Sequence, residues 1–229
     1  EWIPKCIEHF PATLQGVAKQ ANAQDGIGMR NVMISTDPPY YDMIGYADLS
    51  DFFYIWMRKA LKDIYPELFR TMLVPKEEEL IATPYRFDGS ADRAKEFFEH
   101  GMSDALLQIY HAADNDIPIT IYYAFKQTET DRDNNTASTG WETMLSAILN
   151  AGLSITATWP IRTERPTGLK AFENALASSI VLVCRKRPAD APVATRRDFL
   201  TALKRELRPA LVNLQESNIA PVDMAQSAI

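Results

Sequence analysis

The apolar run Val32-Met33-Ile34-Ser35-Thr36 leads straight into Asp37-Pro38-Pro39-Tyr40. The run reads as a buried strand. The tetrapeptide after it constrains both the fold class and the chemistry. A strand that delivers Asp-Pro-Pro-Tyr at its end suits methylation of the exocyclic amine of a nucleobase. Such an amine is a poor nucleophile, because its lone pair is delocalised into the ring. Acceptors on its two N–H groups draw the nitrogen toward tetrahedral geometry and free that pair. The Asp37 carboxylate is one acceptor and offsets the positive charge that grows on the nitrogen. The Pro38 carbonyl is the natural second. A proline holds that carbonyl through its fixed φ and adds no N–H of its own. Pro39 stiffens the same loop, and Tyr40 offers a flat face for an extruded base. Average residue usage makes this tetrapeptide a chance event in roughly one chain per thousand of this length. Its ordinary alternative is a Pro-rich turn with a capping Asp.

The surrounding sequence is specific too. The segment from Asp37-Pro38-Pro39-Tyr40-Tyr41-Asp42 through Tyr46-Ala47-Asp48-Leu49-Ser50-Asp51-Phe52-Phe53-Tyr54-Ile55-Trp56 is one block. With it go Ala124-Phe125-Lys126-Gln127, Trp159-Pro160-Ile161-Arg162-Thr163-Glu164, Ser178-Ser179-Ile180-Val181-Leu182-Val183-Cys184-Arg185 and Asn218-Ile219-Ala220-Pro221-Val222-Asp223-Met224-Ala225-Gln226. In combination these blocks resemble the catalytic segment of the large, multidomain adenine-specific DNA methylases of bacteria and archaea. That family has an N-terminal domain of uncharacterised function and, in some members, a zinc ribbon.

The resemblance implies an α/β chain with a Rossmann-like class I methyltransferase fold, here the C-terminal part of the sheet. Residues 1–190 would form a partial catalytic domain with an irregular insertion at 65–90, and 191–229 a helical C-terminal extension. It implies S-adenosylmethionine as cofactor, DNA as partner and N6 of adenine as acceptor. Asp37, Pro38, Pro39 and Tyr40 would be catalytic. Tyr40, Tyr41, Arg162, Arg165 and Lys170 would face the substrate. The catalytic loop would follow the fourth strand of the full sheet, and the last two strands would be an antiparallel pair. A strand at 14–20 would then be the third, and Asn22 after it would meet the cofactor's adenine, with Asp37 also near the cofactor. The family more often has Asp at that position. No glycine-rich turn follows a first strand, since Gly26-Ile27-Gly28 precedes the catalytic strand instead of opening a helix. The chain therefore reads as a piece that begins after that motif. It is expected to bind S-adenosylmethionine weakly alone, to depend on other parts of the same polypeptide, and to expose a sheet edge that favours self-association.

The rest of the chain is consistent with an α/β domain. Helical spacing marks 48–62, with Ser50 or Asp48 as N-cap and an aromatic stripe expected in the core. It also marks 91–113, with a break near Gly101, then 141–150 ahead of Gly152, and 195–216 with a bend at Pro209. Strands are expected at 117–125, 153–159 and 177–184. Residues 65–90 read as an irregular excursion from the basic fold, and 128–139 as a polar loop. No apolar run approaches the length needed to cross a membrane. Cys6 and Cys184 form no Cys-x-x-Cys pair, so a metal site is not expected, and a reducing cytoplasm fits.

Net charge is −6, awkward for a nucleic-acid binder. The cations cluster, however, at Arg162, Arg165 and Lys170, and again at Arg185, Lys186, Arg187, Arg196 and Arg197. Within the same chemistry, cytosine N4 and ribosomal-RNA adenine are alternative acceptors. The competing class is a non-catalytic nucleic-acid-binding or scaffold module of a defence or modification complex. Against it, all four motif positions are intact.

Overall fold

The structure is a computed structural model that describes residues 2–10, 13–41, 44–123, 139–162 and 178–216. Among these residues it is mixed α/β. The strands are β1 (Ser35–Thr36), β2 (Ile119–Tyr123), β3 (Leu153–Arg162) and β4 (Ser178–Lys186), in the spatial order β1-β2-β4-β3. β1 runs parallel to β2, and β4 is antiparallel to both of its neighbours. The helices are α1 (Trp2–His9), α2 (Tyr46–Leu61), α3 (Ala91–Ala112), α4 (Thr139–Asn150) and α5 (Arg196–Glu216).

The core follows from strand alternation and two helical stripes. On β2, Ile119, Ile121 and Tyr123 are buried, and Thr120 and Tyr122 between them are not. Central β4 buries five residues in succession, Ile180 to Cys184, as a strand covered on both faces does. Burial pushes the Cys184 thiol up to about 12. α3 contributes Ala94, Phe98, Met102, Ala105 and Leu106, and α4 contributes Met144, Ala147 and Ile148. The Ser90 hydroxyl caps α3 by accepting from Arg93 N at 3.3 Å. Gly152, at φ 81°, follows α4.

Several sequence expectations are corrected. α3 runs unbroken through Gly101, because that glycine makes room: a Cβ there would overlap Leu80 Cδ2. No strand forms at 14–20. Leu14 and Val17 are 92% and 91% exposed, and two apolar residues three apart give no period-two face to bury. The buried strand expected at 32–36 is a half-exposed edge. Only Ser35–Thr36 is strand, Val32 makes an isolated bridge to Ala113, and Met33 is 74% exposed. Among the described residues no strand pairs with its outer side, and alternate residues from Asn31 to Asp37 are exposed because one face of the strand is left open. Residues 65–90 are irregular, with a 3-10 turn at Pro84–Phe87, yet they are no mere excursion. Leu80, Ile81 and Ala82 are inserted into the core.

α2 departs furthest from expectation. Its N-cap is Gly45, with no side-chain cap bond, so neither Asp48 nor Ser50 caps it. Its apolar stripe does not enter the core: Leu49, Phe52, Phe53, Trp56 and Met57 are all exposed. The helix is held by its other face instead. Asp51 accepts from Val74 N and Lys76 Nζ, the Tyr54 hydroxyl donates to Thr71 O, and Arg58 Nε donates to Phe69 O. Polar side chains reaching backbone groups of 65–90 thus decide which way α2 faces. The expected strand end at 124–125 and the polar loop at 128–138 lie outside the described residues.

Candidate active site

Strand directions bring the carboxyl ends of β1, β2 and β3 to one edge of the sheet. Thr36 pairs with Ile121, Tyr123 with Ile180, and Arg162 with Ser178. Asp37-Pro38-Pro39-Tyr40 therefore leaves the sheet beside the end of β2. This is the edge where open α/β sheets place their ligands. β1 stops there for a local reason, since neither proline can donate to a ladder.

The loop has a dry side and a wet side. Asp37 is exposed, while Pro38, Pro39 and Tyr40 are half-buried. The Tyr40 ring meets the Tyr123 ring edge-on, with centroids 5.8 Å apart and planes at 85°. Tyr123 in turn stacks on Trp141, at 5.9 Å and 17°. Both are favourable aromatic geometries, worth about 0.5–1.5 kcal/mol each beyond the area buried. Tyr41 turns inward, its ring 5.1 Å from that of Phe98 and its carbonyl accepting from Ala82 N at 2.6 Å. A Cβ on Gly140 would lie 2.8 Å from Tyr41 Cβ, so α4 approaches this residue through a glycine. Tyr41 is thus an anchor: it ties the motif to α3, α4 and the core insertion.

Tyr46, the first residue of α2, belongs to the same neighbourhood. Its phenol is raised above the ordinary value, first by burial and then by the charges of Tyr40, Asp37 and Glu79. It stays protonated through the neutral range beside the motif carboxylate. Below it, Glu79 accepts from Ala47 N at 3.0 Å and so caps α2 from outside the helix. Arg86 Nη2 lies 2.9 Å from both Asp48 Oδ2 and Glu79 Oε2, and the Tyr85 hydroxyl donates to Asp48. Burial pulls the Arg86 guanidinium down, but its bonds to Asp48, Tyr85 and Glu79 outweigh that and hold it above its ordinary value. The Tyr85 hydroxyl first, then Arg86, hold the Asp48 carboxyl below 3.8. Lys76 and Val74 N do the same for Asp51.

These depressed carboxyls carry a pH dependence. Their stabilising contribution is complete above 3.8 and is lost as pH falls through the lower folded value. Both groups are solvent-accessible, so screening keeps the effect small. On acidification from about pH 5 to about pH 3, the melting temperature of the parent is expected to fall more than that of Asp48→Asn/Asp51→Asn. Parallel curves in a thermal scan would refute the assignment.

The other sequence-derived site residues fare differently. Asn22 does not stand at the end of a strand, because there is none. It caps the 3-10 turn Ala23–Asp25, its side chain accepting from Gln24 N at 3.0 Å, and that turn packs on α3. The strand expected to position it is absent, and the role seen for its side chain is this turn cap. Arg162 ends β3 at the motif edge, and Arg165 and Lys170 lie outside the described residues. Of the second basic cluster, Arg185, Lys186 and Arg187 are at the opposite edge, because β4 is antiparallel to β2, while Arg196 and Arg197 open α5. At that edge Arg185 Nη1 donates to Asp116 O, and Lys186 sits 5.2 Å over the Tyr110 ring.

Sequence reasoning missed Tyr123, Trp141 and Glu79. Each comes from an element distant in sequence, so no local spacing announces it. Tyr46 lies within the block from Asp37 to Trp56, yet nothing local gives it a role. Comparison of the chain with protein-family models, with curated proteins and with solved structures finds no match.

Proposed function

We propose that this chain carries the amine-activating part of a site that methylates N6 of adenine in DNA. Supporting it above all is the position of Asp37. An exposed carboxylate follows β1 at the carboxyl edge of the sheet, flanked by a half-buried tyrosine that is braced by two further aromatic rings. The sheet is consistent with this: a parallel pair precedes an antiparallel pair formed by the last two strands, as in the second half of a Rossmann-like methyltransferase sheet.

In this reading Asp37 and the Pro38 carbonyl accept the two N–H groups of the target amine. Asp37 then balances the charge that grows on the nitrogen. A base drawn out of its duplex stacks on Tyr40, whose other contacts hold the ring still. The reading implies S-adenosylmethionine as methyl donor. The described residues do not fit it as a complete cradle. Asn22 is engaged in its own turn, and Gly26 and Gly28 precede the catalytic strand without following another. The acceptor side of the reaction is the part argued from these residues. Arg162, with Arg165 and Lys170 after it, would face the phosphates, and their neutralisation would weaken DNA binding at all sequences alike.

The direct test is incubation of the full-length polypeptide with labelled S-adenosylmethionine and DNA, followed by nucleoside analysis. N6-methyladenine is the expected product. N4-methylcytosine would move the acceptor, and DNA binding without any transfer would favour a scaffold. Tyr40 provides a finer test. Tyr40→Phe and Tyr40→Trp are expected to keep most of the activity. Tyr40→Ala is expected to lose roughly 5- to 150-fold, the kinetic equivalent of about 1–3 kcal/mol of stacking. Equal damage from Phe and Ala would assign the role to the hydroxyl.

A further inference from the structure

We propose that the outward face of α2 is a two-fold dimer seam, on which α2 of a second copy packs antiparallel. The two faces of this helix differ, whatever the chemistry of the motif. Ala47, Asp51, Tyr54 and Arg58 turn toward the protein, while Leu49, Phe52, Phe53, Trp56 and Met57 turn away. Both sets follow the helical period, so the exposed set is one continuous stripe and not scattered residues.

The size of the stripe favours a protein partner. Phe52, Phe53 and Trp56 are 66%, 63% and 64% exposed. At ~150–250 Å² per aromatic side chain, these three alone leave roughly 300–480 Å² of ring surface open. Monomers seldom expose a contiguous apolar patch beyond a few hundred Å². With Leu49 and Met57 the stripe supplies most of the ~800 Å² per partner that a standard interface buries.

The charges choose the partner. Beside the stripe α2 carries exposed Asp48 in its first turn, and exposed Lys59 and the capping Lys62 at its carboxyl end. An antiparallel copy sets each acidic end against a basic end and opposes the two helix dipoles. The stripe tolerates that reversal. Phe52, Phe53, Trp56 and Met57 are spaced symmetrically about the Tyr54–Ile55 bond, so Phe53 meets Trp56 of the second copy, Phe52 meets Met57, and Leu49 falls opposite Ala60. A nucleic acid is a poorer occupant, since the rim is acidic at one end and the chain is net −6. A lipid surface is poorer for a related reason: interfacial helices carry basic flanks, and this one carries both signs.

Sedimentation equilibrium of the 229-residue chain at micromolar concentration tests the proposal. A monomer–dimer equilibrium is expected. Phe53→Glu and Trp56→Glu should each raise the dimer Kd by roughly 30-fold or more, as central aromatic anchors do, with unchanged circular dichroism. A monomer throughout, or a dimer indifferent to both substitutions, would overturn the seam. So would a monomer that holds single-stranded DNA through the same two residues. Orientation is read by disulfide trapping in a Cys6→Ser background, since Cys6 is exposed. Phe53→Cys mixed with Trp56→Cys should cross-link faster than Phe53→Cys alone. The reverse order would mean parallel helices and would refute the antiparallel arrangement.

Discussion

Asp37→Ala is expected to lower methyl transfer by the full-length polypeptide by roughly two to three orders of magnitude, with the fold intact. The magnitude is that of losing one transition-state acceptor, about 3–4 kcal/mol. The fold should survive because Asp37 is exposed and leaves no polar group stranded in the core. Asp37→Asn is the informative companion. It keeps one acceptor oxygen and loses the charge, so it separates hydrogen bonding from charge balance. Single-turnover rates on DNA give the comparison. Activity of Asp37→Ala within a factor of ten of the parent would remove Asp37 from the chemistry.

Phe98→Ala is expected to be the most damaging single change to stability. The ring is fully buried at the centre of α3, and it supports Tyr41 at 5.1 Å. Truncation of a buried aromatic costs about 3–5 kcal/mol from lost transfer energy and the cavity left behind. For a chain of this size each kcal/mol lowers the melting temperature by about 2–4 °C. Phe199→Ala, on the 57%-exposed surface of α5, is the control and should change little. Because Tyr41 is the motif's inward anchor, Phe98→Ala should also loosen Asp37-Pro38-Pro39-Tyr40. Hydrogen exchange at Tyr40 and Tyr41 should rise with the truncation. Equal melting temperatures for the two variants would contradict the packing described.

Much of the framework was legible along the chain, and the exceptions have physical reasons. The helical period over 91–113 marked α3, Gly152 marked the end of α4, and the apolar run at 117–125 marked β2. In each, a local signal and its tertiary consequence agree. α2 shows where that agreement fails. Period 3.6 reveals that a helix has an apolar face, and says nothing about what that face meets. Asp51, Tyr54 and Arg58 chose the inward side by bonding to backbone groups far along the chain, which no local pattern encodes. Residues 65–90 misled for the opposite reason. Their Pro and charge concealed Leu80-Ile81-Ala82, three residues too few to display a period yet fully at home in the core. The site divides the same way. Its four motif residues are contiguous and could be read directly. The rings that brace Tyr40 and the carboxylate beneath Tyr46 arrive through β2, α4 and the insertion, and only folding assembles them.

The order of the strands also governs how the molecule is made. β4 lies between β2 and β3, but it is the last of the four to leave the ribosome. Until residues 178–186 emerge, β2 and β3 have no partner in common, and the nascent sheet is only β1 on β2. Closure must then recruit a strand across a long stretch of chain, the kind of pairing that folds slowly. The edge that carries Asp37 and Tyr123 is complete only after that late insertion. A chain released early would keep its motif and lack the sheet that aims it.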